Sequence, residues 1–297
     1  MSTKKEKLLS GEMPITRENL LVLVNSWGRL GSFNAKASNN QMLMIDKCEA
    51  TQSEQTEFVR KECYDLSKLD VSEITDMSSI FRQSNFNGNI SNWNTSNVTD
   101  MEWMFFNAKS FNQYIGKWDT SKVTSMEGIF DYAESFNQAI NFDTSNVVKM
   151  SYMFCNARSF NQELNFNTSK VTNMNYMFYN TIKFNQPLNF DTSNVISMEG
   201  MFYKTNIFNQ PIIFDISKAT IMSYMFEKTK AFLDKYNKGE SFPLDTKEIK
   251  KWFNINRDKM NEIDIKETQG EELDCFFLKF DNTYSQNNNF TNIHSKN

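Results

Sequence analysis

The side chains that most often do chemistry are few in this chain and poorly placed for it. The only histidine, His294, lies in a polar stretch near the C-terminus, so no His-dependent nucleophile, general base or His-ligated metal centre can be assembled. The four cysteines, Cys48, Cys63, Cys155 and Cys275, lie far apart without a Cys-x-x-Cys spacing, which is the pattern of reduced thiols rather than of a disulfide framework. Carboxylates do recur at a fixed interval, at Asp119, Asp143, Asp191 and Asp215, and a file of carboxylates would suit calcium. Asn94 and Asn167 hold the same place, however, and no Gly-rich calcium loop accompanies them. Each of these residues opens an [Asp/Asn]-Thr-Ser tripeptide, or Asp215-Ile-Ser in the last copy, which predicts an Asx or Ser/Thr turn. These features predict a protein that is not an enzyme and has no catalytic residue, cofactor or metal.

What positions those turns is a repeat. Methionines at Met77, Met101, Met126, Met150, Met174, Met198 and Met222 are 24 or 25 residues apart. Phenylalanines keep step at Phe81, Phe105, Phe130, Phe154, Phe178, Phe202 and Phe226, and again at Phe86, Phe111, Phe136, Phe160, Phe184, Phe208 and Phe232. Two further columns run Trp93, Trp118, Phe142, Phe166, Phe190, Phe214 and Ile74, Val98, Val123, Val147, Val171, Val195, Ala219. A unit this short cannot bury its own apolar columns; stacking places each residue against its copy above and below. The predicted fold is a leucine-rich-repeat-like solenoid of about seven ~24-residue coils, joined by short parallel strands ~4.8 Å apart. The Val-x-x-Met stretch is the candidate strand, although its spacing of three gives no period-2 alternation. The asparagines of the Phe-Asn pairs, from Asn87 to Asn209, are expected to stack and to satisfy turn backbone groups.

The pattern decays at both ends, at Leu69-Asp-Val-Ser and Phe232-Leu233. The expected organisation is an N-terminal helical or capping region at 1–65, the repeats at 66–232, a C-terminal helical or capping region at 233–283 and a disordered tail at 284–297. One helix is predicted over 16–31 from Thr16, with Leu20, Leu21, Val24 and Trp27 available for burial. A second is predicted from Asp245 or Thr246 to about Ile263, burying Ile249, Trp252, Phe253 and Met260. Both flanks suit covers for the open ends of the core, and equally suit docking on a partner.

Composition narrows the partners. The chain has 297 residues, 32 basic against 36 acidic and a net charge of −4, with 27 Phe and 17 Met but only 9 Gly and 4 Pro. No basic cluster runs along the repeats, so a nucleic-acid partner is not expected. No segment approaches the ~18 apolar residues of a membrane span, and the start MSTKKEKLLSGEMPITRENLLVLVNSW carries no secretory signal pattern. The expected compartment is cytoplasmic. The sequons at Asn94, Asn97, Asn167 and Asn289 are then not expected to be glycosylated.

One row varies where the core columns do not: Trp103, Gly128, Tyr152, Tyr176, Gly200 and Tyr224. An exposed row of aromatics is what protein interfaces favour, which makes Trp103, Tyr152, Tyr176 and Tyr224 candidate partner-binding residues. The other reading is that this row packs under a neighbouring turn.

The run WNTSNVTDMEWMFFNAKSFNQYI, Trp93 to Ile115, and its copies resemble the BspA-like leucine-rich-repeat surface proteins, built on WDTSNVTDMSxMFxxAxxFNQxL. The likeness covers about residues 66–232. It implies a solenoid that attaches to proteins or host surfaces, and it carries no enzymatic residues across. Such proteins occur on bacterial surfaces as lipoproteins or adhesins, and in protists and large DNA viruses. Here the signal peptide and lipobox cysteine of the bacterial pattern are missing from the start. Two functions follow: a non-catalytic protein-interaction or assembly scaffold, as a virus-encoded virion component for instance, and a cell-surface adhesin for host protein or glycan.

Overall fold

The computed structural model describes residues 10–11, 14–27, 66–260 and 262. The chain divides into two compact units, Met1–Lys251 and Trp252–Asn297.

In the first unit the repeat columns are buried files. Every leading methionine from Met77 to Met222 and every phenylalanine four residues on is fully buried. Phe105 stacks on Phe81 with ring centroids 5.2 Å apart, and Phe130, Phe154 and Phe178 follow at 5.7 Å each. The second phenylalanine column repeats at 5.9–6.2 Å from Phe111 to Phe232. Within a repeat the two columns also touch, Phe105 on Phe111 at 3.9 Å and Phe154 on Phe160 at 4.1 Å. Each repeat is thus one layer, and each interior ring meets its copies on two sides and a different ring beside it. Such offset-stacked pairs contribute about 0.5–1.5 kcal/mol each beyond their area burial.

The backbone joins the layers through single parallel bridges instead of the short parallel strands expected. Among the described residues these run Asp76, Asp100, Ser125, Lys149, Asn173, Ser197, Ile221, one residue before each leading methionine. The Val-x-x-Met stretch therefore holds one bridging residue per layer. The main ladder starts at its methionine and runs on from there. In the second layer the N–H groups of Met101, Trp103, Phe105 and Asn107 donate to the carbonyls of Ser125, Glu127, Ile129 and Asp131 in the third, at 2.7–3.3 Å. The intervening N–H groups of Met104, Phe106 and Ala108 instead close tight turns on Met101, Trp103 and Phe105. Turns that overlap in this way cannot be an extended strand, yet they send alternate N–H groups to the next layer.

Polar side chains satisfy the rest. The Oδ1 atoms of Asn87, Asn112, Asn137, Asn161 and Asn185 each accept the backbone N–H of the next asparagine in the file at 2.8–2.9 Å. This is the asparagine ladder the sequence predicts. The [Asp/Asn]-Thr-Ser elements are Asx turns, as in Ser121 N–H to Asp119 Oδ1 at 3.0 Å and Ser169 N–H to Asn167 Oδ1 at 3.1 Å. Their threonine hydroxyls donate to the next layer, Thr120 to the Asp143 carbonyl at 3.0 Å and Thr144 to the Asn167 carbonyl at 3.0 Å. A neighbouring column alternates Asn97, Lys122, Asn146, Lys170, Asn194, Lys218. Each lysine there donates to the asparagine one layer back, and Asn146 and Asn194 donate to the carbonyls of Ser121 and Ser169.

The N-terminal segment sits on the first layer. Pro14 bridges Asp70, and Ile15 N–H donates to the Asp70 carbonyl at 2.8 Å. Helix α1, Arg17–Trp27, starts after Thr16, whose Oγ1 accepts the Asn19 N–H at 3.3 Å. Its Leu20 and Val24 are buried, and Leu21 is half-buried. The Trp27 side chain, residues 28–31 and the tail from 284 lie outside the described residues. Arg17 donates to the carbonyls of Asp76 and Ser78 at 3.0 and 2.6 Å and pairs with the Asp76 carboxylate at 3.2 Å. It thereby occupies carbonyls of the layer that has no repeat before it.

At the other end the last phenylalanine, Phe232, belongs to a short helix α2, Lys230–Tyr236, where the sequence shows only a decayed repeat. Phe242 packs edge-on against Phe226 at 5.1 Å, and Met222 N–H donates to Thr246 Oγ1 at 2.9 Å. A further helix begins at 246; Asp245 caps it, its Oδ1 accepting the Glu248 N–H at 3.1 Å, and Ile249 is buried. In the second unit residues 252–260 are helical. Phe253 and Met260 are buried there, while Trp252, expected inside, is half-buried. Ile263 lies outside the described residues. Among those described, no helix is long and apolar enough to cross a membrane.

Candidate interaction surface

The variable row occupies a special backbone position. Residues two after each leading methionine, Ser79, Trp103, Gly128, Tyr152, Tyr176, Gly200 and Tyr224, all have φ between 53° and 62°. Four residues further on, Gln83, Asn107, Tyr132, Asn156, Asn180, Lys204 and Lys228 do the same. Each is the third residue of a hydrogen-bonded four-residue turn, and a turn with positive φ at that place favours glycine or asparagine there. A residue with a Cβ there costs roughly 1–2 kcal/mol relative to glycine. Two glycines and three asparagines relieve some of these positions, yet tryptophan and tyrosine occupy others.

The rings at those positions lie along the layers. Trp103 covers Gly128 so closely that a Cβ on the glycine would stand 2.2 Å from Trp103 Cε3, and the indole reaches Tyr152, two layers on, at 5.9 Å. Tyr152 stacks on Tyr176 at 5.3 Å. Tyr176 covers Gly200 in the same way, at 2.3 Å from its Cε1, and its hydroxyl donates to Glu199 Oε1 at 2.8 Å. Burial, then the Glu199 carboxylate, push the Tyr176 phenol above its ordinary pKa, and burial does the same to Tyr152. Both stay neutral donors at physiological pH. The structure thus brings Trp103, Tyr152 and Tyr176 into one half-exposed strip. Tyr224, 43% exposed, lies beyond Gly200 with no ring contact to the strip.

A second aromatic row runs beside the first, which the sequence analysis did not single out. Phe106 meets Trp103 at 5.6 Å and the exposed Tyr132 at 6.1 Å; Tyr179 meets Tyr176 at 6.0 Å and Tyr203 at 5.2 Å. Cations rest on these rings: Arg82 over Phe106 at 4.3 Å, Lys204 over Tyr203 at 5.2 Å and Lys228 over Tyr203 at 5.5 Å. The signal available in the sequence was the residue after each second-turn phenylalanine, where Phe106, Tyr179 and Tyr203 share a column.

The arrangement offers an aromatic face with polar rims. Among the described residues no three His, Cys, Asp or Glu side chains converge as a metal site would require. His294, Cys48, Cys63 and Cys275 lie outside the described residues; Cys155 is a buried free thiol. The repeated aspartates are engaged in their turns: hydrogen bonds from Ser121, Ser145 and Ser193 hold the carboxyls of Asp119, Asp143 and Asp191 below the usual carboxylate range.

The family described as "Mycoplasma protein of unknown function, DUF285" matches three overlapping stretches, residues 47–165, 140–239 and 164–266. Comparison with the curated proteins and with the solved structures finds no match. The matched stretches run without a break from 47 to 266, well over half of the chain, and include the bridged layers from Asp76 to Ile221. The chain belongs to the DUF285 repeat family.

Proposed function

We propose that this chain is a non-catalytic interaction scaffold, a leucine-rich-repeat-like solenoid that holds a protein partner against the strip of Trp103, Tyr152 and Tyr176. The observation that carries this reading is where those rings stand. Each occupies a left-handed position that glycine fills at lower cost, as at Gly128 and Gly200, so the aromatic residues are not what the turn requires. Nor does the core require them, since the Met and Phe files are already closed beneath. Half-exposed, preordered aromatic rings flanked by cations and carboxylates have the composition of protein interfaces. The resemblance to BspA-like repeats points the same way.

The test is the double variant Trp103→Ser, Tyr176→Ser. The expected result is a wild-type chain that co-purifies stoichiometrically with a protein complex, and a variant that loses the partner while its melting temperature stays within a few degrees. Retained binding, or a collapse in melting temperature, would place the rings in the packing instead. Binding of the wild type to intact cells or a glycan array, lost in the same variant, would move the reading to an adhesin.

A further inference from the structure

In the row that follows the buried phenylalanines, Arg82 is exposed and Phe106, Tyr179 and Tyr203 are half-exposed, but Asp131 and Cys155 are buried. Asp131 is 5% exposed, and its Oδ1 is buried with no hydrogen-bond partner. The donors that act on the carboxyl are the Cys155 thiol and the Asn156 amide of the next layer, then the Tyr132 backbone N–H. Asn156 Nδ2 also donates to Cys155 Sγ at 3.1 Å, and Asn180 Nδ2 of the layer beyond donates to Asn156 Oδ1 at 2.8 Å. The backbone at the same place carries the ladder: Asn107 N–H donates to the Asp131 carbonyl at 2.7 Å, and Tyr132 N–H to the Cys155 carbonyl at 2.8 Å.

We propose that Asp131 is a proton-binding site built into the repeat stack, protonated in the closed structure, and that loss of its proton to solvent loosens the contact between the third and fourth layers. A buried carboxylate with one bare oxygen is far costlier than a neutral carboxyl in the same place, because the desolvated charge has too few donors. The groups that face it do not supply a matched cation. Cys155, Tyr132 and Tyr152 are neutral at physiological pH, and Arg82, the one cation that acts on it, is exposed and rests on the Phe106 ring. Burial accordingly lifts the Asp131 carboxyl to about 6, and lifts the Cys155 thiol beyond its ordinary range, so the thiol remains a donor. The sign follows from linkage. The folded pKa stands above the unfolded one, so the site favours the closed layers fully at low pH, and that preference is lost as pH rises toward and through 6.

Cys155 reports the opening. In a chain with Cys48, Cys63 and Cys275 replaced by serine, the rate of Cys155 labelling by an uncharged thiol reagent is measured from pH 5 to 7.5 and divided by that of a free-thiol peptide. The normalised rate should rise about tenfold or more with a midpoint near pH 6, and Asp131→Asn should flatten it. A flat profile in the parent, or an unchanged rise in the Asp131→Asn variant, would overturn the proposal. A second measurement needs no cysteine substitution: the Asp131 side-chain carboxyl ¹³C shift, assigned with the same variant, should titrate near pH 6. A midpoint in the ordinary carboxylate range sinks the idea.

Discussion

Replacing Phe130 and Phe154 by alanine, singly and together, asks whether the layers carry energy in the way their geometry says. Phe154 is fully buried and touches Phe130 and Phe178 at 5.7 Å along the file and Phe160 at 4.1 Å within its own layer. Truncating such a ring leaves a cavity walled by three other phenylalanines, at a cost of about 3–5 kcal/mol for either single variant. In the double variant the lost Phe130–Phe154 pair is counted once instead of twice and the two cavities merge. The sum of the single losses should therefore exceed the double loss by about 0.5–1.5 kcal/mol. Phe105 and Phe178 are the control: both are buried in the same column, but they stand three layers of 5.7 Å apart. Their double variant should be additive to within about 0.5 kcal/mol. Equilibrium urea unfolding, followed by tryptophan fluorescence and far-UV circular dichroism together, supplies the free energies. Nearest-neighbour stacking is refuted if the 130/154 cycle shows no coupling, or if the distant 105/178 cycle couples as strongly.

Gly128→Ala forces a Cβ into the Trp103 ring and adds a left-handed alanine; it should destabilise by about 2–4 kcal/mol, and Trp103→Ser in the same chain should relieve most of the clash, as thermal melting will show. Arg17→Met removes the bonds to the Asp76 and Ser78 carbonyls, at about 1–2 kcal/mol; amide exchange should speed up at Ile15 and Leu20 and stay unchanged at Tyr152, and equal acceleration everywhere would contradict an end cap. Asp119, Asp143 and Asp191 have folded pKa values below the unfolded ones, so their contribution is complete above the ordinary carboxylate value and lost as pH falls through the folded values. The triple Asp→Asn variant should flatten the acid limb of melting temperature against pH while keeping its neutral stability, because Asn94 and Asn167 already close the same turn. Asp131 acts in the opposite direction and at higher pH, so the two effects separate on one titration.

The register of the layers was legible because stacking demands it: a residue that must touch its own copy appears at the same interval, as Met77 to Met222 do. The Asx turns and the asparagine file were legible for a related reason, since Asn and Asp have a short list of local hydrogen bonds to make. The Val-x-x-Met stretch holds the bridging residue of each layer but no extended strand, because overlapping turns from Met101 to Ala108 send alternate N–H groups along the axis. Their left-handed residues were hidden by Trp103, Tyr152 and Tyr176, types that rarely mark positive φ. Gly128 and Gly200 in the same row, with Asn107, Asn156 and Asn180 four residues after a row member, were the readable clue. One further device was written in the spacing. Trp93 and Trp118 follow their phenylalanines by seven residues, where Phe142 and its later copies follow by six. The longer arcs accompany the larger ring, whose Nε1 donates to the Leu66 or Ile90 carbonyl of the layer before at 2.9–3.0 Å. Asp131 and Cys155 were not legible at all, since their burial depends on neighbours in other layers.

The most direct test is to observe the interlayer hydrogen bonds themselves. Through-bond scalar couplings between amide nitrogen and carbonyl carbon, recorded on deuterated, isotope-labelled protein, should link Trp103 to Glu127, Phe105 to Ile129 and Asn107 to Asp131, each 24 residues ahead. Couplings that join these amides to carbonyls three or four residues back instead, or to strands at any other interval, would contradict the layered account.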